Sequence, residues 1–259
     1  MCKPGGSVYV IITRSPIHAF YAAMAGITDN AASLQSSPAG QLPTAAAVVP
    51  YHERLNQDRE WALSEGSLFF EGKGKVQEAL RRITKRLDEL GIPYAVAGGM
   101  ALFQHGYRRF TEDVDLVVTT QGLQQIHQAL EGLGYMRLFT GSKAMRDTDA
   151  GVKIDFLVTG QFPGDGKPKP VSFPDPAKVS VQLGGMSVVS LPTLLELKLA
   201  SGTSGAGRRK DLGDAQELIK FFHLPAEFAE QLHPYVRPTF MELWNEVEQG
   251  KASQNELEY

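Results

Sequence analysis

The sequence predicts an α+β fold, a small mixed β-sheet flanked by helices and followed by a helical C-terminal part. Three observations carry that expectation. Val76, Leu80, Ile83, Leu87 and Leu90 recur at alternating spacings of four and three, which places one apolar stripe along a helix over residues 73–90. Short apolar runs at 93–97, 114–118 and 152–158 have the length and bounding signals of buried strands. From Pro192 onward the pattern turns helical.

Taken in chain order, residues 1–50 contain only three charged side chains, Lys3, Arg14 and Asp29, and hold no steady period. The first ordered element expected is the helix at 73–90, so residues 1–70 read as a weakly structured leader. Gly91 ends that helix, and residues 93–97 form a strand running into Gly98-Gly99 and a short helix at 100–105. The run at 114–118 is a second strand, followed by a helix over 122–131 that Gly132 and Gly134 close. Residues 152–158 give a third strand. The Gly- and Pro-crowded stretch 160–176 is a surface loop. Gly184-Gly185 joins β-rich runs at 178–183 and 186–191 as a hairpin. Helices follow at 193–200, 209–222, 225–233 and 239–248. The expected division is a leader (1–70), a catalytic region (71–191) and a helical region completing its cleft (192–259).

Composition narrows the function classes. The 259 residues carry 26 Lys+Arg against 29 Asp+Glu, a formal charge of −3, which argues against a wholly basic nucleic-acid binder. The single cysteine, Cys2, can form no internal disulfide and no cysteine zinc site, so a reducing, cytoplasmic compartment is expected. The apolar run from Val8 to Ile12 is too short for a secretory signal or a membrane span, so no membrane partner is expected.

The chemistry concentrates between Gly98 and Asp155. Asp113 and Asp115 alternate with Val114 and so project from one face of a strand, ~6.6 Å apart along the backbone. At that separation two charges repel by roughly 2.5 kcal/mol at an effective dielectric near 20, and a divalent cation is the natural compensation. Magnesium prefers carboxylate oxygens together with substrate phosphates, and a pair of ions activates an attacking hydroxyl while neutralising pyrophosphate. Asp155, an isolated acid in an apolar strand, is the third ligand expected. Gly98-Gly99, between strand and helix, lets backbone N–H groups approach a triphosphate.

With these residues in place, the chain resembles the nucleotidyltransferase superfamily that includes DNA polymerase beta, whose pattern is a hydrophobic residue, Gly, Gly or Ser, a spacer, then Asp-hydrophobic-Asp. More closely it resembles the AbiEii-type nucleotidyltransferases, toxins of type IV toxin–antitoxin systems. The matching positions are Gly98, Gly99, Gly106, Arg109 and Thr111 leading into Asp113 and Asp115, then Asp155, Lys198, Arg208, Lys210, Asp211 and Asp214, over roughly residues 75–225. The resemblance implies that Asp113 and Asp115 bind Mg2+, that Asp155 completes the acidic set and helps deprotonate the acceptor, and that Gly98 and Gly99 face the phosphates of an NTP. It further implies that Lys198, Arg208, Lys210 and Asp211 form the other half of the cleft, with Arg109 and Thr111 on the nucleotide or holding the loop. The implied acceptor is a tRNA, another RNA 3′ end or a protein hydroxyl, and the implied protein partner is an antitoxin. Gly99 departs from the Ser of many members, so phosphate contacts there must come from main-chain amides.

Other signals carry less. Residues 202–207 lack the Gly-Lys-Ser/Thr ending of a phosphate loop, and the six histidines form no zinc pair. Two rival classes remain at this level: metal-dependent glycosyl transfer, which also uses Asp-x-Asp but gives Gly98-Gly99 no role, and a non-catalytic nucleotide-binding module of the same fold.

Overall fold

Helix formation begins earlier than the apolar periodicity indicates. In the computed structural model, which describes residues 48–257, α1 spans Tyr51–Gln57 and α2 spans Arg59–Phe70. The leader expected over 1–70 is therefore corrected for its last twenty or so residues; residues 1–47 lie outside those described. The stabilisation is tertiary, which is why no local period announced it. Tyr51 is buried and donates its hydroxyl to buried Glu65, whose carboxylate also accepts the Lys75 N–H opening the next helix. Phe69 packs on Phe103 and Phe110.

The next helix, α3 (Lys75–Glu89), buries Val76, Leu80, Ile83 and Leu87 of the expected stripe, and Ala79 beside them, whereas Leu90 is exposed. Gly91 at φ +64° and the Ile92 N–H bonded to Leu87 O stop it in a left-handed C-terminal cap. After it come β1 (Tyr94–Ala97), α4 (Gly98–Gln104), β2 (Asp113–Val118), α5 (Thr120–Leu130), β3 (Tyr135–Arg137), β4 (Met145–Asp147) and β5 (Lys153–Val158). The chain continues through α6 (Pro176–Val179), β6 (Ser180–Leu183), β7 (Met186–Val189), α7 (Leu191–Gly202), α8 (Arg209–Phe221) and α9 (Arg237–Leu257).

Among the described residues the strands form one seven-stranded mixed sheet in the order β3-β4-β5-β2-β1-β7-β6. The β2–β5 and β1–β7 pairs are parallel and the rest antiparallel. The short strands β3 and β4 were not expected, since three residues each are too few to show a period. They are held by pairing to β5 and by Asp147, which accepts two bonds from Arg82 of α3. The segment expected as a helix at 225–233 is a 3-10 turn over Ala226–Gln231.

The core lies between the sheet and its helices. Tyr94, Ala95, Val96 and Ala97 of β1 are all buried, as are Val114, Leu116, Val117 and Val118 of β2. Helices α7 and α8 belong to the same compact unit and approach closely at Gly202, where a Cβ would sit 2.6 Å from Leu212. That closeness sets α7 and α8 side chains facing one another. No described helix is long and apolar enough to cross a membrane.

Candidate functional site

The site is assembled where β1 ends and β2 begins. Register puts Ala97 opposite Asp115 and Asp115 opposite Asp155, so the C-terminal end of β1 and the acids of two parallel strands meet. One carboxylate oxygen from each of Asp113, Asp115 and Asp155 lies within 4.8 Å of the other two. Three hard oxygen donors at this spacing suit a divalent cation such as Mg2+.

Charge on the cluster is only partly cancelled. Lys153 Nζ lies 2.7 Å from Asp155 Oδ2, and Thr111 Oγ1 donates to Asp113 Oδ1 at 2.7 Å. Among the described residues Asp115 has no such partner. Burial first, then the neighbouring Asp113 and Asp155, push its carboxyl up to about 7. A carboxyl whose ionisation is opposed by burial and by two neighbouring acids is one that a bound cation would favour.

The glycines are required here by space. Gly98 has φ +56°, and a Cβ on it would lie 1.8 Å from Asp115 Oδ2; on Gly99 a Cβ would lie 2.7 Å from both Cβ and Oγ1 of Thr111. Thr111 thus fills the volume that a serine side chain at 99 would need. Gly98→Ala is expected to strain the backbone and displace the Asp115 carboxylate, destabilising the fold by about 1–3 kcal/mol. It should also abolish any rise in melting temperature on adding Mg2+, read by urea titration and thermal melts with and without the ion.

The facing half of the site comes from α7 and α8. Lys198 Nζ lies 2.6 Å from Asp211 Oδ1 and 2.8 Å from Asp214 Oδ2, and Ser201 Oγ donates to Asp211 Oδ2 at 2.7 Å. Burial disfavours the Lys198 cation, but Asp211 and Asp214 outweigh it and hold its pKa above the ordinary lysine value. Asp211 is likewise opposed by burial and pulled below the usual carboxylate range by Lys198. Arg109 NH2 donates to Asp214 Oδ2 at 3.0 Å, while its Nε, 2.8 Å from Oδ1, makes an ion pair without hydrogen-bond alignment. Asp211 and Asp214 therefore serve a buried cation pair more than the start of their own helix.

Two adjoining lobes of about 710 and 690 Å³ share Asp115, Lys143, Lys198, Arg208 and Asp211, with Phe156 and Leu157, in their lining. The first adds Gly98 and the apolar walls Phe162, Phe173, Leu194 and Leu197. The second adds Gly99, Arg109, Thr111, Asp113, Lys153, Asp155 and Lys210. The residues expected to bind metal or nucleotide all border this cleft, whereas of the other matching positions Gly106 lies against Phe221 and Asp214 stands behind Lys198 and Arg109. Arg208 is exposed and donates to Gly164 O at 2.9 Å, and Lys210 is exposed. Three contributors escaped the sequence reading. Lys153 lies two positions before Asp155 on the same strand face, a signal that alternation offers; Ser201 lies one helical turn after Lys198; Lys143 has no local signal.

No family model matches the chain, and no curated protein does. Among solved structures the chain is similar to ANT(2″)-Ia in complex with adenylyl-2″-tobramycin, at TM-score 0.44 and 16% identity over 64% of this chain and 96% of that one. It is also similar to JHP933 from Helicobacter pylori, at TM-score 0.38 and 17% identity over 71% and 97%. The proposed nucleotidyltransferase TM1012 from Thermotoga maritima aligns at TM-score 0.38 and 18% identity over 56% and 91%. What the cleft can do follows from its own residues.

Proposed function

We propose that the protein is a divalent-metal-dependent nucleotidyltransferase, which moves the nucleoside monophosphate of an NTP onto an acceptor hydroxyl and releases pyrophosphate. The observation that carries this reading is the meeting of Asp113, Asp115 and Asp155 within 4.8 Å beside a glycine turn, all three on one lobe and Asp115 shared with the adjoining one. One lobe suits the nucleotide and the other the acceptor. A glycosyl transferase would use Asp113 and Asp115 but leaves Asp155 and the closeness of Gly98 to Asp115 without a role.

Asp113, Asp115 and Asp155 would hold magnesium, as two ions, which when bound supplies charge neutralisation and a more acidic acceptor hydroxyl. The remaining work falls to the chain. Thr111 orients Asp113 through its hydroxyl, and Lys153, 2.7 Å from Asp155 Oδ2, holds in place the carboxylate that would take the acceptor proton. Gly98 and Gly99 clear the backbone for the phosphates. Lys198, immobilised between Asp211 and Asp214, fixes the wall that α7 and α8 give the cleft, and the exposed Arg208 and Lys210 supply the positive charge there. The acceptor oxygen bonds to the α-phosphorus, the bond to the bridging oxygen breaks, and pyrophosphate leaves.

The apolar walls of the first lobe suit a nucleobase, and the acceptor would be an RNA 3′ end, a tRNA among them, or a protein hydroxyl. A cytoplasmic AbiEii-type toxin with a neutralising antitoxin is the biological setting in line with the sequence motifs. Incubation with α-labelled NTPs, Mg2+ and cell RNA or lysate is expected to label an acceptor, with chelation of the metal or Asp113→Asn removing the label. Equal labelling by wild type and Asp113→Asn would refute the metal assignment.

A further inference from the structure

The loop between β3 and β4 delivers to the cleft a residue that no motif marks. Lys143 borders both lobes. Its backbone is pinned by its neighbours: buried Ser142 donates through Oγ to Ala144 O at 3.0 Å and accepts from Ala144 N at 3.1 Å. The Ser142 N–H donates to Phe139 O at 3.0 Å, and His127 Nε2 donates to Lys143 O at 3.2 Å. These bonds determine where the side chain leaves the loop, which is the preorganisation a binding residue needs.

The side chain itself is held loosely. Its amine donates to Gln161 Oε1 at 2.7 Å, an uncharged oxygen on the loop that walls the first lobe. The cations lining the cleft are Arg109, Lys143, Lys153, Lys198, Arg208 and Lys210, the last of them exposed. Arg109, Lys153 and Lys198 are each cancelled by a carboxylate. Lys143 and Arg208, which line both lobes, donate to neutral oxygens, the Gln161 amide and the Gly164 carbonyl; among the described residues neither has a carboxylate at ion-pair distance, although Arg208 still acts on Asp211 at longer range. An exposed amine on a neutral oxygen gains little over water and exchanges readily for an anion, to which its hydrogen bonds are stronger.

We infer that Lys143 is a polyphosphate-binding residue whose amine leaves Gln161 on nucleotide entry and donates to a phosphate oxygen of the pyrophosphate portion, together with Arg208. The inference rests on the nucleotidyl-transfer reading. It adds that the β3–β4 loop, outside every motif of the sequence, contributes to triphosphate affinity, and that Gln161 is a resting partner and not a structural necessity.

Magnesium tripolyphosphate, which removes the unknown base from the question, is the probe. By titration calorimetry Lys143→Gln should bind it about tenfold or more weakly than wild type, with an unchanged melting temperature and unchanged binding of Mg2+ alone, while Lys143→Arg retains most of the affinity. Gln161→Ala removes the same inter-loop bond but leaves the cation, and should bind as tightly as wild type. Equal affinity of Lys143→Gln and wild type, or equal loss in Lys143→Gln and Gln161→Ala, overturns the assignment and makes the contact a loop tether. A wild-type protein that binds Mg2+ but no tripolyphosphate removes the nucleotidyl-transfer reading itself and Lys143 with it.

Discussion

Asp115→Asn is expected to lower nucleotidyl transfer by about 10²–10³-fold and, in the absence of metal, to make the protein more stable above pH 7. Both effects have one cause. Asp115 sits in low dielectric, opposite Asp155 and two residues from Asp113, and its carboxyl in the folded state titrates at about 7 against an ordinary 3.8. A raised folded pKa means the folded state binds the proton more tightly. The stabilisation that proton gives is complete below 3.8, declines as the pH rises, and is lost above about 7, where the ionised carboxylate is a standing penalty. Asn, neutral at all pH values, carries no such penalty. The melting temperature of Asp115→Asn relative to wild type should climb between pH 4 and 7 and level off, and Mg2+ at pH 8 should raise wild type by several degrees and the variant hardly at all. A difference in melting temperature that does not vary with pH would mean that Asp115 is not the repelled member of the cluster.

Lys198→Met should cost about 3–5 kcal/mol, the largest stability loss predicted here, because it strands two carboxylates in the seam between α7 and α8. The Asp214 side chain is 4% exposed and that of Asp211 17%, and each is within 2.8 Å of the lysine amine. Arg109 still faces Asp214, so Asp211, left with Ser201, is the more damaged partner. The pH dependence follows from both shifts. Asp211, lowered in the folded state, gives stability above 3.8 that is lost as the pH falls through its folded value. Lys198, raised in the folded state, gives stability below 10.5 that is lost as the pH rises through its folded value. The gap between wild type and variant in urea denaturation should therefore be widest between those limits and narrow toward either end. A loss below about 1 kcal/mol would show that water replaces the amine at little cost, as at an exposed ion pair.

The two variants separate two roles in one cleft. Asp115 would be held at the expense of stability for the cation it binds, whereas Lys198 ties α7 to α8 within the facing half of the site. A protein that loses activity without losing stability at Asp115, and loses both at Lys198, fits this division.

Local chemistry was enough to place much of the site. The Asp113-Val114-Asp115 alternation, an acid isolated in the apolar run at 152–158 and a glycine pair after a buried strand are all short-range patterns, and each states its own need for a compensating cation or a close backbone approach. The stripe of α3, the β6–β7 hairpin at Gly184-Gly185 and the helical C-terminal part were legible for the same reason: the period of a helix or strand is written within ten or twenty residues. What the sequence could not supply was which distant groups cancel one another. That Arg109 pairs with Asp214 across 105 positions, that Thr111 occupies the space beside Gly99, that Lys143 arrives from a loop between three-residue strands, and that residues 51–70 are helical because Tyr51 and Phe69 are buried, depend on packing between separate elements. Hydrogen bonds and Coulomb forces act through space, so side chains far apart along the chain reveal their partners only once the sheet and helices have brought them together.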